Sequence, residues 1–166
     1  MVVKTLRSPQ KKQWNAIPMN KNLRVLIEGT QHYFKKLTGE AITVDKPQLI
    51  REINQHILDY TGVIGISGSH QGSIFFSSTK GLLEELLLAL KITDDDENQI
   101  MDLVGDVSNT ISGNARCELG AKFMVSPPVI LKGKGEEMKV SHIEEIYMIP
   151  LLWKGHKAHL IISLEG

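Results

Sequence analysis

Among 166 residues there is one cysteine, Cys117, and no net charge, with 19 basic side chains set against 19 acidic ones. A lone cysteine excludes an intrachain disulfide framework and suits a reducing compartment. The charge balance argues against a nucleic-acid or membrane surface that works through bulk charge. No apolar run approaches the roughly 18 residues that signal a transmembrane helix. The first residues also lack the continuous apolar stretch of a secretory signal. The expectation is therefore a cytoplasmic chain with no nucleic-acid partner and no membrane insertion. Catalytic signatures are missing too. There is no Gly-x-Ser-x-Gly elbow, no His-Glu-x-x-His pair and no Cys-x-x-Cys. The six histidines, His32, His56, His70, His142, His156 and His159, include no helical i, i+4 pair, and His156 and His159 fall on opposite faces of a strand, so no zinc site is expected. An enzyme built on this chain has to borrow its chemistry from its substrate.

What is present reads as one globular domain. Hydrophobic residues make up 42% and charged residues 23%, and the chain is long enough to bury a substantial core. Residues 1–19 hold Lys4, Arg7, Lys11 and Lys12 and no acid, and Pro9 and Pro18 interrupt any helix. They are expected to form an N-terminal arm ahead of a domain over 20–166.

Apolar residues spaced by three and four predict a helix over 20–37, capped by Asn20 or Asn22 and ended by Gly39. Ala41–Val44 predicts a short strand. Residues 48–58 fit either helix or strand. A hairpin is expected from 60–67 and 73–77 around the glycine-bearing turn 68–72. A leucine-rich helix follows from Ser78 or Thr79 to Ile92, buried on more than one side. Thr93 is read as the cap of the next helix, and the acids at 94–97 as favourable charges at its positive end. Phe123–Leu131 is a strand whose Pro127-Pro128 places it at an edge or bulge. Residues 143–153 and 157–164 form a hairpin around Lys154-Gly155-His156. Its imperfect alternation fits a strand covered on both faces.

The chain is organised around residues 98–120. At about 100° per residue, Ile100, Leu103, Val104, Val107 and Ile111 share one stripe. Asp102, Asp106, Asn109 and Gly113, spaced by four, three and four, form a ridge on the opposite side. Gly105, Ser108 and Ser112 are placed beside them, small residues that let another surface come close. From spacing alone, an ordinary solvated helix face explains the pattern more simply than a site does. Cys117, near the end of this helix and without an acid–base partner, reads as a small packing residue.

Asp102-x-x-x-Asp106-x-x-Asn109, followed by Ile-Ser-Gly-Asn-Ala, resembles the signature helix of the CheC/CheX/FliY chemotaxis phosphatases. The strand Ser126-Pro127-Pro128-Val129-Ile130-Leu131-Lys132-Gly133 resembles that of the CheX branch. The order of elements agrees from about residue 20 onward. The resemblance implies an α+β fold, with an antiparallel or mixed sheet of about five to six strands packed with long helices, and a homodimer. The family pattern has Glu where this chain has Asp106. The link from Asn109 to Pro127-Pro128 is also a few residues shorter.

The resemblance further implies a substrate, a phosphorylated response regulator of the CheY type. The regulator would bring Mg²⁺ and a lysine, and the chain would hold no cofactor of its own. Asn109 would orient the attacking water, since a carboxamide both donates and accepts. Asp106 would pair with the regulator's lysine, and Asp102, Gly105 and Gly113 would meet the partner. The other reading is a non-catalytic binding or assembly module on the same fold.

Overall fold

Two antiparallel hairpins supply the centre of the sheet. The computed structural model describes residues 21–134 and 145–165. The proposed arm, the candidate cap Asn20, His142 and the loop after Lys134 lie outside the described residues. In chain order the strands are β1 (Thr43–Val44), β2 (Gln48–Ile50), β3 (Tyr60–Gly68), β4 (Gln71–Ser78), β5 (Phe123–Val125), β6 (Val129–Lys132), β7 (Ile146–Trp153) and β8 (His156–Glu165). The helices are α1 (Lys21–Thr38), α2 (Lys80–Ala89) and α3 (Glu97–Leu119). The sheet order is β1-β7-β8-β4-β3-β5, with β2 also on β7 and β6 also on β3. Among the described residues every pairing is antiparallel, and the eight strands occupy six ranks. This is the expected α+β class, with each outer rank split into two short strands.

Local chemistry explains the joints. Lys154 and Gly155 both have positive φ, 50° and 79°, the two-residue turn that matches strand twist. Gly39, at φ 77°, ends α1 and donates its N–H to the Lys35 carbonyl at 2.9 Å. Asn22 lies inside α1 rather than capping it, because the helix already runs from Lys21. Asp96, not Thr93, caps α3: its carboxylate accepts from the Gln99 N–H at 2.9 Å. The residue directly before the first helical turn aims at those amides, and Thr93 stands three places too early.

Residues 48–58 resolve as neither long helix nor long strand. They form β2 and then a short 3-10 turn at Asn54–His56. This segment covers the second face of the sheet, where Ile53 and Ile57 pack with Phe75, Ile146, Met148 and Ile161. Ile161 is apolar for that reason, and β8 is indeed covered on both sides.

The three helices cover the other face. Ile100, Val104, Val107 and Ile111 of α3 are at most 1% exposed and pack in the main core with Leu26 and Phe34 of α1 and Leu83 and Leu86 of α2. The leucine helix is buried as expected, except for Leu88, which is 63% exposed. Close approach of α3 to β3 depends on Gly62. A Cβ there would lie 3.0 Å from the Ser108 Cβ, 3.3 Å from the Val104 Cγ1, and in collision with the Ser108 hydroxyl. Gly62→Ala is expected to destabilise the fold by about 1–3 kcal/mol through overpacking. Adding Ser108→Ala, which removes the colliding hydroxyl, should recover part of that loss in a denaturant titration.

Candidate functional site

The site is carried by α3. The helix is held on its inner side by the stripe above and at its start by an ion pair, Lys132 Nζ to Glu97 Oε1 at 2.6 Å, which ties it to β6. Asp102, Asp106 and Asn109 are exposed and Gly113 is half-exposed. A helix rises about 1.5 Å per residue, so these four positions span about 16 Å along one line. A methyl at Gly113 would meet nothing within 4 Å. The backbone beneath is well tied. Thr110 Oγ1 donates to the Asp106 carbonyl at 2.8 Å, and Ser112 Oγ to the Asn109 carbonyl at 3.1 Å. The Asp106 and Asn109 side chains project into water from a helix whose opposite stripe is buried in the core.

Gly105, Ser108 and Ser112 are buried, which corrects their expected place beside the ridge. Gly105 lies about 60° round the helix from Asp102. There β6 closes over it, and a Cβ would be 3.6 Å from the Ile130 Cδ1 and 3.8 Å from the Pro128 Cγ. Gly105 therefore seats the strand and is not an exposed partner contact. Ser108 Oγ donates to the Val104 carbonyl at 2.8 Å, and the single Ser112 hydroxyl hydrogen is shared between the Asn109 carbonyl and that of Ser108, at 2.9 Å. The small residues bring α3 close to its own sheet.

The proline strand forms that wall. Ser126-Pro127-Pro128 interrupts the edge, so β5 pairs with Ile66–Gly68 and β6 with Tyr60–Val63. Ser126 bridges the break. Its N–H donates to the Gly65 carbonyl at 2.9 Å, and its hydroxyl accepts from the Gly65 N–H at 2.8 Å. Prolines stand where no ladder donor is needed.

On the other flank stands α1, where a Cβ on Gly29 would lie 3.6 Å from the Asn114 Cβ. Tyr33 of α1 is buried, and its hydroxyl is pushed up to about 12, first by burial and second by the negative charge of Asp106. Read from the sequence, Tyr33 is only one residue of an apolar stripe. Its nearness to Asp106 depends on how the helices cross. The consequence for stability has a definite sign. Below pH 10 the phenol is neutral in both states and its contribution is complete. As pH rises from 10 through 12 the unfolded chain ionises first, and about 2–3 kcal/mol is lost. Tyr33→Phe should flatten that part of the alkaline unfolding curve relative to the native chain.

Cys117 is exposed, so it is not the buried packing residue that the sequence suggests. His159 Nδ1 lies 2.7 Å from the His56 carbonyl on the far face of the sheet, away from the ridge. Among the described residues no three His, Cys, Asp or Glu side chains are grouped to hold a metal ion. Among them too, no helix is long and apolar enough to cross a membrane.

Comparison with known proteins agrees with this arrangement. The family model described as chemotaxis phosphatase CheX matches residues 60–152, which include α3 and the proline strand. No curated protein matches. Among solved structures, a CheC-like superfamily protein from Shewanella sp. PV-4 superposes with a TM-score of 0.75 at 23% identity, over 89% of this chain and 100% of that one. The chemotaxis protein CheX from Vibrio vulnificus gives 0.75 at 21% identity, over 88% and 100%. CheX from Borrelia burgdorferi, in its complex with CheY, BeF3 and Mg²⁺, gives 0.70 at 22% identity, over 88% and 99%.

Proposed function

We propose that this chain, which belongs to the CheX family of chemotaxis phosphatases, docks on a phosphorylated CheY-like response regulator and promotes hydrolysis of its aspartyl phosphate. The observation that carries this reading is the exposed line Asp102, Asp106 and Asn109 on a helix fixed to the sheet. The Borrelia complex supports the class of partner. In this reading the regulator supplies Mg²⁺ and a lysine, which neutralise charge on the phosphoryl group. The chain contributes position. The Asn109 carboxamide accepts from and donates to a water and holds it in line with phosphorus. Asp106, about one turn earlier, forms a charge-assisted bond to the regulator's lysine and sets the docking angle. Asp102 and Gly113 meet the partner at the two ends of the ridge.

The test is the rate at which a phosphorylated CheY-like regulator loses its label with and without the protein. Acceleration is expected. We place the protein in the cytoplasm with that regulator, as a domain over 20–166 preceded by an arm. We also read it as a homodimer joined through a sheet edge, where Leu49 of outer strand β2 is 63% exposed. A monomeric mass in sedimentation would refute the dimer. The second reading, a binding or assembly module without turnover, is favoured by one observation: the acid next to Asn109 on the ridge is the shorter Asp106.

A further inference from the structure

Asp106 is the ridge residue nearest α1. At about 100° per residue, Leu103 and Asn114 lie about 60° and 80° round α3 from it on one side, and Asn109 lies about 60° from it on the other. Leu103 is buried, and a Cβ on Gly29 of α1 would lie 3.6 Å from the Asn114 Cβ, so the first side is the one that α1 covers. Tyr33 follows Gly29 by four residues, which keeps it on the same face of α1. The order round the helix is therefore Asn109, Asp106 and then the phenol of Tyr33, which lies within reach of the Asp106 charge.

The Tyr33 ring is fixed while its hydroxyl is open. The residue is 9% exposed, and its ring meets that of Phe34 edge-on with centroids 5.5 Å apart. The hydroxyl makes no hydrogen bond to another described residue. Among the described residues, the sealed polar side-chain atoms without a partner are Trp153 Nε1 and Ser163 Oγ. The Tyr33 hydroxyl is not one of them, so it reaches the surface. Pushed up to about 12, it stays protonated at neutral pH and can donate. Thr110, about 40° from Asp106 on the same side, has its hydroxyl committed to the Asp106 backbone carbonyl at 2.8 Å. Asp106 itself takes part in no ion pair among the described residues. A carboxylate free to accept thus stands beside a neutral donor free to give.

We infer that Tyr33 is a positioning residue of the phosphatase site: when the receiver domain docks, its hydroxyl donates to one Asp106 oxygen and leaves the other turned toward Asn109, where the regulator's lysine arrives. This rests on the phosphatase reading and deepens it. A carboxylate accepts at both oxygens, so a bond from the α1 side does not compete with the lysine on the Asn109 side. Hydrogen bonds of this kind are often long in a free enzyme and tighten in the complex. Exclusion of water by the partner strengthens them. The bond takes rotational freedom from Asp106, so less is lost when the lysine binds.

The test is a double-mutant cycle of Tyr33→Phe and Asp106→Ala. It is read as the Kd for a CheY-like receiver domain activated with beryllofluoride and Mg²⁺, and as the single-turnover rate with the phosphorylated receiver. Phenylalanine keeps the ring against Phe34, so denaturant unfolding at neutral pH should stay near native. Tyr33→Phe is expected to weaken binding about tenfold in the native background, as loss of one hydrogen bond to a charged group predicts. In the Asp106→Ala background the same change should have no effect, because the group it acts through is gone. An equal loss in both backgrounds overturns the inference and makes Tyr33 a packing residue. Native Kd and native rate in Tyr33→Phe overturn it as well. In both cases receiver binding and turnover by the native chain leave the phosphatase reading standing. If the native chain neither binds nor dephosphorylates any receiver, the phosphatase reading fails and the role of Tyr33 falls with it.

Discussion

Asn109→Ala is expected to abolish accelerated dephosphorylation while leaving the fold intact. The side chain is exposed and stands on the outer face of α3, so its removal opens no cavity. Alanine is also the better helix former, by a few tenths of a kcal/mol. Stability should therefore stay within about 0.5 kcal/mol of the native chain in a denaturant titration. In the proposed mechanism one carboxamide places one water, and loss of a preorganised hydrogen-bonding group in an active site costs on the order of 10²–10³ in rate. A folded, binding-competent, inactive variant is the predicted outcome. If Asn109→Ala unfolds the domain, the residue is structural and the site assignment is wrong.

Lengthening Asp106 should raise activity. The carboxylate is retained, but its reach is about 1.5 Å shorter than that of Glu, one C–C bond. A misplacement of about 1 Å can cost on the order of 100-fold in an aligned reaction. Weak native activity is expected, increased by Asp106→Glu and reduced by Asp106→Ala. The burial of Gly105 and Ser108 bears on this directly. Neither lies open beside Asp106 for a partner to sink into, and Pro128 and Ile130 stand over Gly105. The surroundings of Asp106 thus do little to offset its shorter reach, and the gain from glutamate should be large. Asp106 is exposed and Glu has the higher helix propensity, so folding should not suffer. Single-turnover measurements at saturating protein separate the chemical step from docking. Should the native chain and Asp106→Glu both be inactive while both bind the phosphorylated regulator, the binding-module reading prevails.

Much of the architecture was legible in the residues. The stripe Ile100, Leu103, Val104, Val107 and Ile111 marked the inner side of α3, because helical period and hydrophobicity act over neighbouring residues and need no tertiary information. The same logic placed α1 and the leucine helix, and turn chemistry placed the Lys154-Gly155 hairpin. Misreadings and open readings arose where a local preference had several outlets. Thr93 and Asp96 are both good caps, and the helix start selects Asp96. Residues 48–58 are apolar at spacings that suit a helix, yet their task is to cover Phe75, Met148 and Ile161. That need exists only once β4, β7 and β8 are side by side.

The sequence by itself determined that α3 has one apolar and one polar face, and that Asp102, Asp106 and Asn109 share the polar one. Both follow from a fixed rotation per residue. The tertiary structure alone decided what flanks that line. Gly105 lies about 40–100° round the helix from the ridge residues, an angle at which helical period leaves burial undecided. β6 and Gly62 of β3 settle it by closing over that side. On the other side the crossing of α1 brings Tyr33 within reach of the Asp106 charge and sets Glu28 across a groove from Glu118. The two α1–α3 pairs are 73 and 90 residues apart in the chain. No local rule relates residues so far apart, and only the packing of two helices on one sheet brings them together.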